Sequence, residues 1–292
     1  ARSAWTVPKR TGASRRGKRG RRMLKLSGLY KTFHAGTPNE VRALQGVDLT
    51  QAEGSFTIII GTNGSGKSTT LNAVAGSFFV DRGAITLAGH DITRWPEHTR
   101  ARLIGRVFQD PFKGTAPTMS IAENLAMAMM RGTRRGLGSL LRRDRLEQMR
   151  ARIRTLNMGL EDRLDNAIGS LSGGQRQALT LLMATWKRPE LLLLDEHTAA
   201  LDPKTADQVI RLTETIVREQ RQTTLMVTHS MQQAVNLGDR LIMMHHGRII
   251  HDIAGDEKRR LRVEDLLERF EEVRRAERLD PAAAELLRRT YA

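Results

Sequence analysis

The chain has 292 residues, 39% of them hydrophobic, no cysteine, and a formal net charge of +16. That length suffices for one large α/β domain, or one domain with a subdomain. The missing cysteines exclude a disulfide framework and a thiolate metal site, and no apolar run reaches the about 18 residues that span a bilayer.

Residues 1–22, "ARSAWTVPKRTGASRRGKRGRR", carry nine Lys or Arg and no acid. The segment lacks the apolar stretch of a secretory signal. It reads as a basic, disordered tail; an anionic membrane surface or nucleic acid would be its functional target. Met23 is read as the natural start, with the tail as an upstream extension. "SFTIII", Ser55–Ile60, is a β-branched run that stops at Gly61 and reads as a buried strand. "STTLNAVAG" follows as a helix stopped by Gly76. Arg102–Phe108 is a second strand candidate. Ser120 and Glu123 stand at capping-box spacing and open a helix over "SIAENLAMAMM". "RGTRRGLGSLLRR" is a Gly/Arg-rich surface connection, and a helix is expected from Asp144 to Leu156.

Ser172 and Gln175 form a second capping-box pair, with a helix running to Lys187. "ELLLLD" is a strand of the fully buried type. Asp202 and Pro203 start a helix, as N-cap and first-turn residue, that runs to Gln220. Thr223–Thr228 is the next buried strand, and Ser230 with Gln233 caps another helix. Arg240–Ile250 reads as a hairpin turning at His246-Gly247. His245 and His246, as neighbours on a strand, point to opposite faces, which is poor metal geometry. Trp186 and the scattered methionines read as packing. Beyond Gly255 the chain turns helical and charged. Val263, Leu266, Leu267, Phe270 and Val273 share one helix face, which packs on its own domain or, alternatively, makes a dimer contact.

Strands alternate with helices at both ends, while 110–189 reads as helix only. This predicts an α/β fold: a mostly parallel sheet covered on both faces, with an inserted α-helical subdomain. No repeat of solenoid period is present.

"GTNGSGKST", Gly61–Thr69, matches the P-loop pattern G-x-x-x-x-G-K-[ST] between a buried strand and a helix. Gly61, Gly64 and Gly66 let consecutive N–H groups, including those of Asn63, Ser65 and Thr69, converge on phosphate, and the helix N-terminus adds positive potential. Lys67 reaches the β/γ-phosphates, and Ser68 offers a hydroxyl to Mg²⁺. The strand "LLLLDE" ends at the crevice where α/β folds bind ligands. Asp195 there can hold the Mg²⁺ shell, and Glu196 can act as general base for an attacking water. "LSGGQ", Leu171–Gln175, places two glycines in the first turn of a capped helix, at a cost in helix stability. Its exposed N–H groups make a second anion site. One chain has one P-loop, so this second site suits the nucleotide of another copy.

Taken in order, the P-loop, "LSGGQ", "LLLLDEHTAALD" and "TLMVTHS" resemble the ATPase subunit of ABC transporters over residues 24–250. The resemblance implies a RecA-like P-loop NTPase core at 23–109 and 190–255, with an antiparallel β part. It also implies a helical subdomain at 110–189 and a helical extension at 256–292. ATP and Mg²⁺ are the implied cofactors. Phe33 matches the aromatic that stacks on adenine, with Tyr30 as the nearby competitor. Gln109 matches the glutamine that senses Mg²⁺ and the attacking water. Ser172, Gly174 and Gln175 match the signature that contacts the γ-phosphate held by a partner subunit. Asp202 matches an acid at the dimer interface, and His229 the histidine that contacts the γ-phosphate.

The resemblance further implies that two copies close head to tail over two ATP molecules. Transmembrane permease subunits would dock on 110–125, with Phe112–Met119 as the contact surface and a substrate-binding protein engaged indirectly. The place would be the cytoplasmic face of the inner membrane. The spelling "DPFKGTAPTMSIAENL" with "LLLLDEHTAALDPKTA" resembles amino-acid importers of tryptophan/tyrosine type, then branched-chain systems. Another transport system, or a soluble ATPase acting on nucleic acid, is the alternative; a single cassette and a short insert argue against nucleic acid as partner. Most of the family has proline where His197 stands. His197 is read as a subgroup marker on a loop, and the rigidity of that turn is left open.

Overall fold

The computed structural model describes residues 22–133 and 141–272. Val273, nearly all of the basic tail and part of the Gly/Arg-rich connection lie outside the described residues. The elements in order are β1 (Arg22–Phe33), β2 (Val41–Ala52), β3 (Phe56–Gly61), α1 (Lys67–Ala75), β4 (Arg82–Leu87), β5 (His90–Asp91), α2 (Glu97–Arg100) and β6 (Ile104–Val107). Then come α3 (Ile121–Met129), α4 (Arg143–Arg154), α5 (Gly173–Thr185), β7 (Leu191–Asp195), α6 (Pro203–Gln220), β8 (Thr224–Val227), α7 (Met231–Asn236), β9 (Arg240–His245), β10 (Arg248–Ala254) and α8 (Gly255–Arg260). Residues 263–272 form a last helix, α9.

Two sheets share the work. One has the order β10-β9-β3-β8-β7-β6, parallel except for the β9–β10 hairpin. The other, β2-β1-β4-β5, is antiparallel. The four leucines of β7 show why the central strands read as continuous apolar runs: all are fully buried. Leu191 and Leu193 pack with Ile59 and Val227 against α1 and the antiparallel sheet. Leu192 and Leu194 pack with Ile58 and Ile60 against α6 and α7. Side chains alternate across a strand, so a sheet covered on both faces needs apolar residues at every position.

The antiparallel sheet went unplaced in the residue-level reading, for a physical reason. Its register is broken by shifts between Leu26 and Leu29 and again after Leu29, so β1 shows no clean two-residue alternation. Between β6 and β7, α3, α4 and α5 close on a core of their own that includes Met149, Leu179 and Trp186. Trp186 is buried, with the Arg152 guanidinium 4.3 Å from its ring centre.

Both capping boxes form. Ser120 accepts from Glu123 N while Glu123 accepts from Ser120 N, and Ser172 with Gln175 repeats the exchange. Asp202 caps α6 through Thr205 N, and Ser230 caps α7 through Gln233 N. On α9, Leu266 is fully buried and Phe270 packs beside it on the core shared with α6, whereas Leu267 is exposed. Self-packing thus accounts for Leu266 and Phe270 of the apolar stripe. Adjacent positions did not separate the two histidines. His246 sits in the β9–β10 turn at φ 42°, which brings its ring to 4.1 Å from that of His245. Among the described residues, no group of three or more metal-ligating side chains includes them.

Candidate nucleotide site

The site forms where β3 and β7 end. β3 runs into the P-loop, and Gly66 enters α1 at φ 98°. A side chain there would place Cβ 2.6 Å from the Ala43 carbonyl, so glycine is required on both counts. α1 has no side-chain cap and no acidic residue in its first turn. Its leading N–H groups and positive dipole end therefore face the loop unneutralised, which suits a phosphate. The Lys67 ammonium folds back to donate to the carbonyls of Gly61 (2.9 Å) and Thr62 (3.0 Å). Burial pushes it below its ordinary pKa, while the carboxylates of Glu196 and Asp195 oppose the shift.

Ser68, Asp195, Glu196, His229 and Gln109, all selected from the sequence, converge here. Asp195, at the end of β7, accepts from the Ser68 hydroxyl at 3.1 Å. That hydroxyl and carboxylate are hard oxygen donors of the kind that suits Mg²⁺. Glu196 is the next residue, 7% exposed, in the left-handed region at φ 46°. Its own N–H donates to Val227 of β8 at 2.9 Å, which holds the turn in that sparsely populated conformation. From the end of β8, His229 Nε2 lies 2.5 Å from Glu196 Oε2. Gln109, just past β6, is exposed and lines a cleft of about 650 Å³ together with Asp195.

Phe33 lies at the end of β1 and packs edge-to-face on Phe78 at 5.2 Å. Tyr30 instead lies across Gly46, its hydroxyl 2.9 Å from where a Cβ would stand. The two aromatics therefore occupy different places. Ser172, Gly174 and Gln175 are at the start of α5, and among the described residues no hydrogen bond or ion pair joins them to the P-loop of the same chain. Gly174 instead meets α6: a Cβ would stand 1.9 Å from Thr205 Cγ2. This close approach adds a packing reason for the glycine that a single sequence does not reveal. A Gly174→Ala change is expected to cost about 1–3 kcal/mol by overpacking. Thr205→Ser, which deletes the methyl, should restore most of that in a urea-denaturation cycle.

His197 lies in the turn after β7, as read, but its side chain is buried in the core. It is 1% exposed, with Nε2 3.0 Å from Thr213 Oγ1. Thr213 donates its own hydroxyl proton to the Val209 carbonyl at 2.9 Å. The threonine must therefore accept from His197, which fixes the Nε2–H tautomer and leaves Nδ1 buried without a partner. Burial pushes the pKa from 6.5 down to about 4. Since the unfolded chain takes up the proton first, the stabilising contribution is complete above pH 6.5 and is lost as the pH falls toward 4. His197→Leu should flatten the stability curve across that window by about 3 kcal/mol, measured as the pH-dependent difference from wild type in urea melts.

Two contributors escaped the sequence reading. Gln177, buried on α5, donates to the Phe108 carbonyl at 2.9 Å and ties the segment before Gln109 to the signature helix. Arg106, on β6, has its guanidinium 3.6 Å from Asp195 Oδ2. The signal for Arg106 was present: a charge in the interior of the apolar run "LIGRVF" needs a buried partner.

A parallel sheet, a P-loop opening α1 and an acidic pair at the next-but-one strand end define a P-loop nucleotide-hydrolase fold. The family described as "ABC transporter" matches residues 44–199. The Tyrosine transport ATP-binding protein of Clostridioides difficile (strain R20291) is 45% identical over 253 residues, 85% of this chain and 99% of that protein. The Lipoprotein-releasing system ATP-binding protein LolD of Ruegeria sp. (strain TM1040) is 34% identical over 231 residues, 78% of this chain and 97% of that one. A solved dimeric, post-hydrolysis ATP-binding cassette bound to ADP and Pi superposes with a TM-score of 0.68 at 28% identity, covering 80% of this chain and 98% of that one. The chain belongs to the ABC transporter family, as one of its ATP-binding subunits. It is an ATPase coupled to transport.

Proposed function

We propose that two copies of the chain hydrolyse MgATP between them to drive import of an aromatic amino acid through a separate permease. The observation that carries the substrate is the 45% identity, over 99% of its length, to a protein named for tyrosine transport. The dimer is supported by the related cassette solved as a dimer with ADP and Pi. Among the described residues no helix is long and apolar enough to cross a membrane. In this reading the permease is a separate partner, docked on 110–125 at the cytoplasmic face of the inner membrane. Phe112, 50% exposed with the Arg176 guanidinium 3.6 Å from its ring centre, presents an aromatic face there.

In this reading Phe33 stacks on the adenine. The N–H groups of Gly61–Thr69 and the Lys67 ammonium bind the phosphates. Ser68 and Asp195 hold Mg²⁺, with Gln109 beside them; when bound, the ion neutralises charge on the phosphate oxygens. Glu196 accepts a proton from water as the oxygen attacks the γ-phosphorus, and the bond to the β–γ bridging oxygen breaks to release ADP. His229, in contact with the Glu196 carboxylate, orients the base and reaches the γ-phosphate. Ser172, Gly174 and Gln175 of the second copy close the site from the other side, with Asp202 at the same interface.

The test is uptake. Proteoliposomes holding the chain with the permease that co-purifies with it, supplied with ATP on the side of the ATPase and with the solute-binding protein opposite, should accumulate labelled tyrosine or tryptophan. Accumulation of leucine instead would move the substrate to the branched-chain class. ATP-driven release of a lipoprotein would overturn import, in line with the 34% identical relative.

A further inference from the structure

Arg106 is held by neutral groups rather than by the acid it faces. Its guanidinium donates to Asn72 Oδ1 and, at 3.1 Å, to Ser77 Oγ. The same group lies 4.4 Å from the ring centre of Phe108. The approach to Asp195 Oδ2 is 3.6 Å, beyond hydrogen-bond reach, and that to Glu97 Oε1 is 3.9 Å. Arg106 and Asp195 are 13% and 14% exposed, so water screens the pair weakly. The carboxylate is thereby split: Oδ1 faces the Ser68 hydroxyl and Oδ2 the guanidinium. Arginine keeps its charge at any working pH, and a cation pinned by Asn72, Ser77 and Phe108 does not depend on Asp195 for its place. β6 and β7 pair with Arg106 opposite Leu193 and Val107 opposite Leu194, so the backbone fixes the approach.

We propose that Arg106 is a positioning residue that supplies the counter-charge for Asp195 until a divalent cation takes it over, and so sets how much cation the site needs. The proposal rests on the reading of Ser68 and Asp195 as the Mg²⁺-holding pair. An isolated carboxylate this shielded is costly, and a fixed guanidinium offsets the cost. The same positive charge repels an arriving cation. Removing it should therefore destabilise the metal-free protein and at the same time strengthen its response to Mg²⁺.

The experiment uses the full chain and needs no turnover. Binding of ATP carrying a fluorescent ribose group is titrated with Mg²⁺ for wild type, Arg106→Gln, Arg106→Lys and Asp195→Asn, and melting is followed with and without Mg²⁺ and ATP. Arg106→Gln keeps a polar head for Asn72 and Ser77, which protects the fold. It is expected to lower the half-saturating Mg²⁺ concentration at least about threefold. Its Tm loss should be confined largely to the Mg²⁺-free protein. Arg106→Lys, which keeps the charge, should stay close to wild type. An unchanged or raised Mg²⁺ requirement in Arg106→Gln, with equal Tm loss in both states, would reduce Arg106 to packing and overturn the proposal. If Asp195→Asn leaves the Mg²⁺ dependence of wild type unaltered, the metal assignment itself fails and the proposal with it.

Discussion

A Glu196→Gln variant is expected to lose at least about 100-fold in ATP turnover while retaining ATP binding. The substitution keeps size and shape at a side chain that is 7% exposed, so the fold should tolerate it. What it removes is basicity. The surrounding geometry is compatible with the proposed role as base. The left-handed turn at φ 46° is costly for a residue with a side chain, and the Val227 carbonyl holds it in place. The carboxylate meets the His229 imidazole, with Nε2 2.5 Å from Oε2. Lys67, on the P-loop side, feels the charge of Glu196 as well. Phosphate release measured against a control of equal ATP occupancy decides the matter; turnover within twofold of wild type would exclude Glu196 as the base.

The second large effect concerns stability. Arg100, the last residue of the short helix α2, is fully buried and donates four hydrogen bonds to backbone carbonyls. Two go to Ala73 (2.7 Å) and Val74 (2.9 Å), at the C-terminal end of α1. The others go to Trp95 (2.8 Å) and Thr93 (3.0 Å). A cation at a helix C-terminus satisfies orphan carbonyls and complements the dipole. Gly76, at φ 88°, is part of the same design, since a Cβ there would stand 2.8 Å from the Arg100 Nε. Arg100→Leu strands these carbonyls in the interior and should cost about 3–5 kcal/mol. For a chain of this size that is a Tm decrease on the order of 10 °C by thermal melt. A decrease under 2 °C would show that the guanidinium is dispensable. The consequence reaches function, because α1 is the helix whose other end carries Lys67 and Ser68.

The sequence-readable part of this molecule is the part governed by short-range rules. β3, β7 and β8 announce themselves as apolar runs, because a doubly covered strand has no solvent face. The caps at Ser120, Ser172, Asp202 and Ser230 are written in four-residue spacings. The P-loop and the acids at the end of β7 have a fixed spelling because phosphate binding needs backbone, not side-chain variety. What stayed hidden depends on distant contacts. The antiparallel sheet breaks its alternation at the shifts around Leu29, so only family resemblance suggested it. The burial of His197 stayed hidden because nothing local reveals that Thr213, on the following helix, accepts a hydrogen bond from its Nε2–H. The partners of Arg100 and Arg106 emerge only when the chain folds, since the carbonyls and carboxylate they face come from other elements. Gly174 had an anion-binding rationale from its place in "LSGGQ", and its packing against Thr205 emerges only when α5 and α6 meet.

The pairing of one copy's P-loop with another's signature is tested most directly by the mass of the Glu196→Gln protein in solution. Size-exclusion chromatography with light scattering, run with and without saturating ATP, should show two chains per particle with nucleotide and one without. A single-chain mass while bound ATP is demonstrated in the same fraction would contradict hydrolysis between two copies.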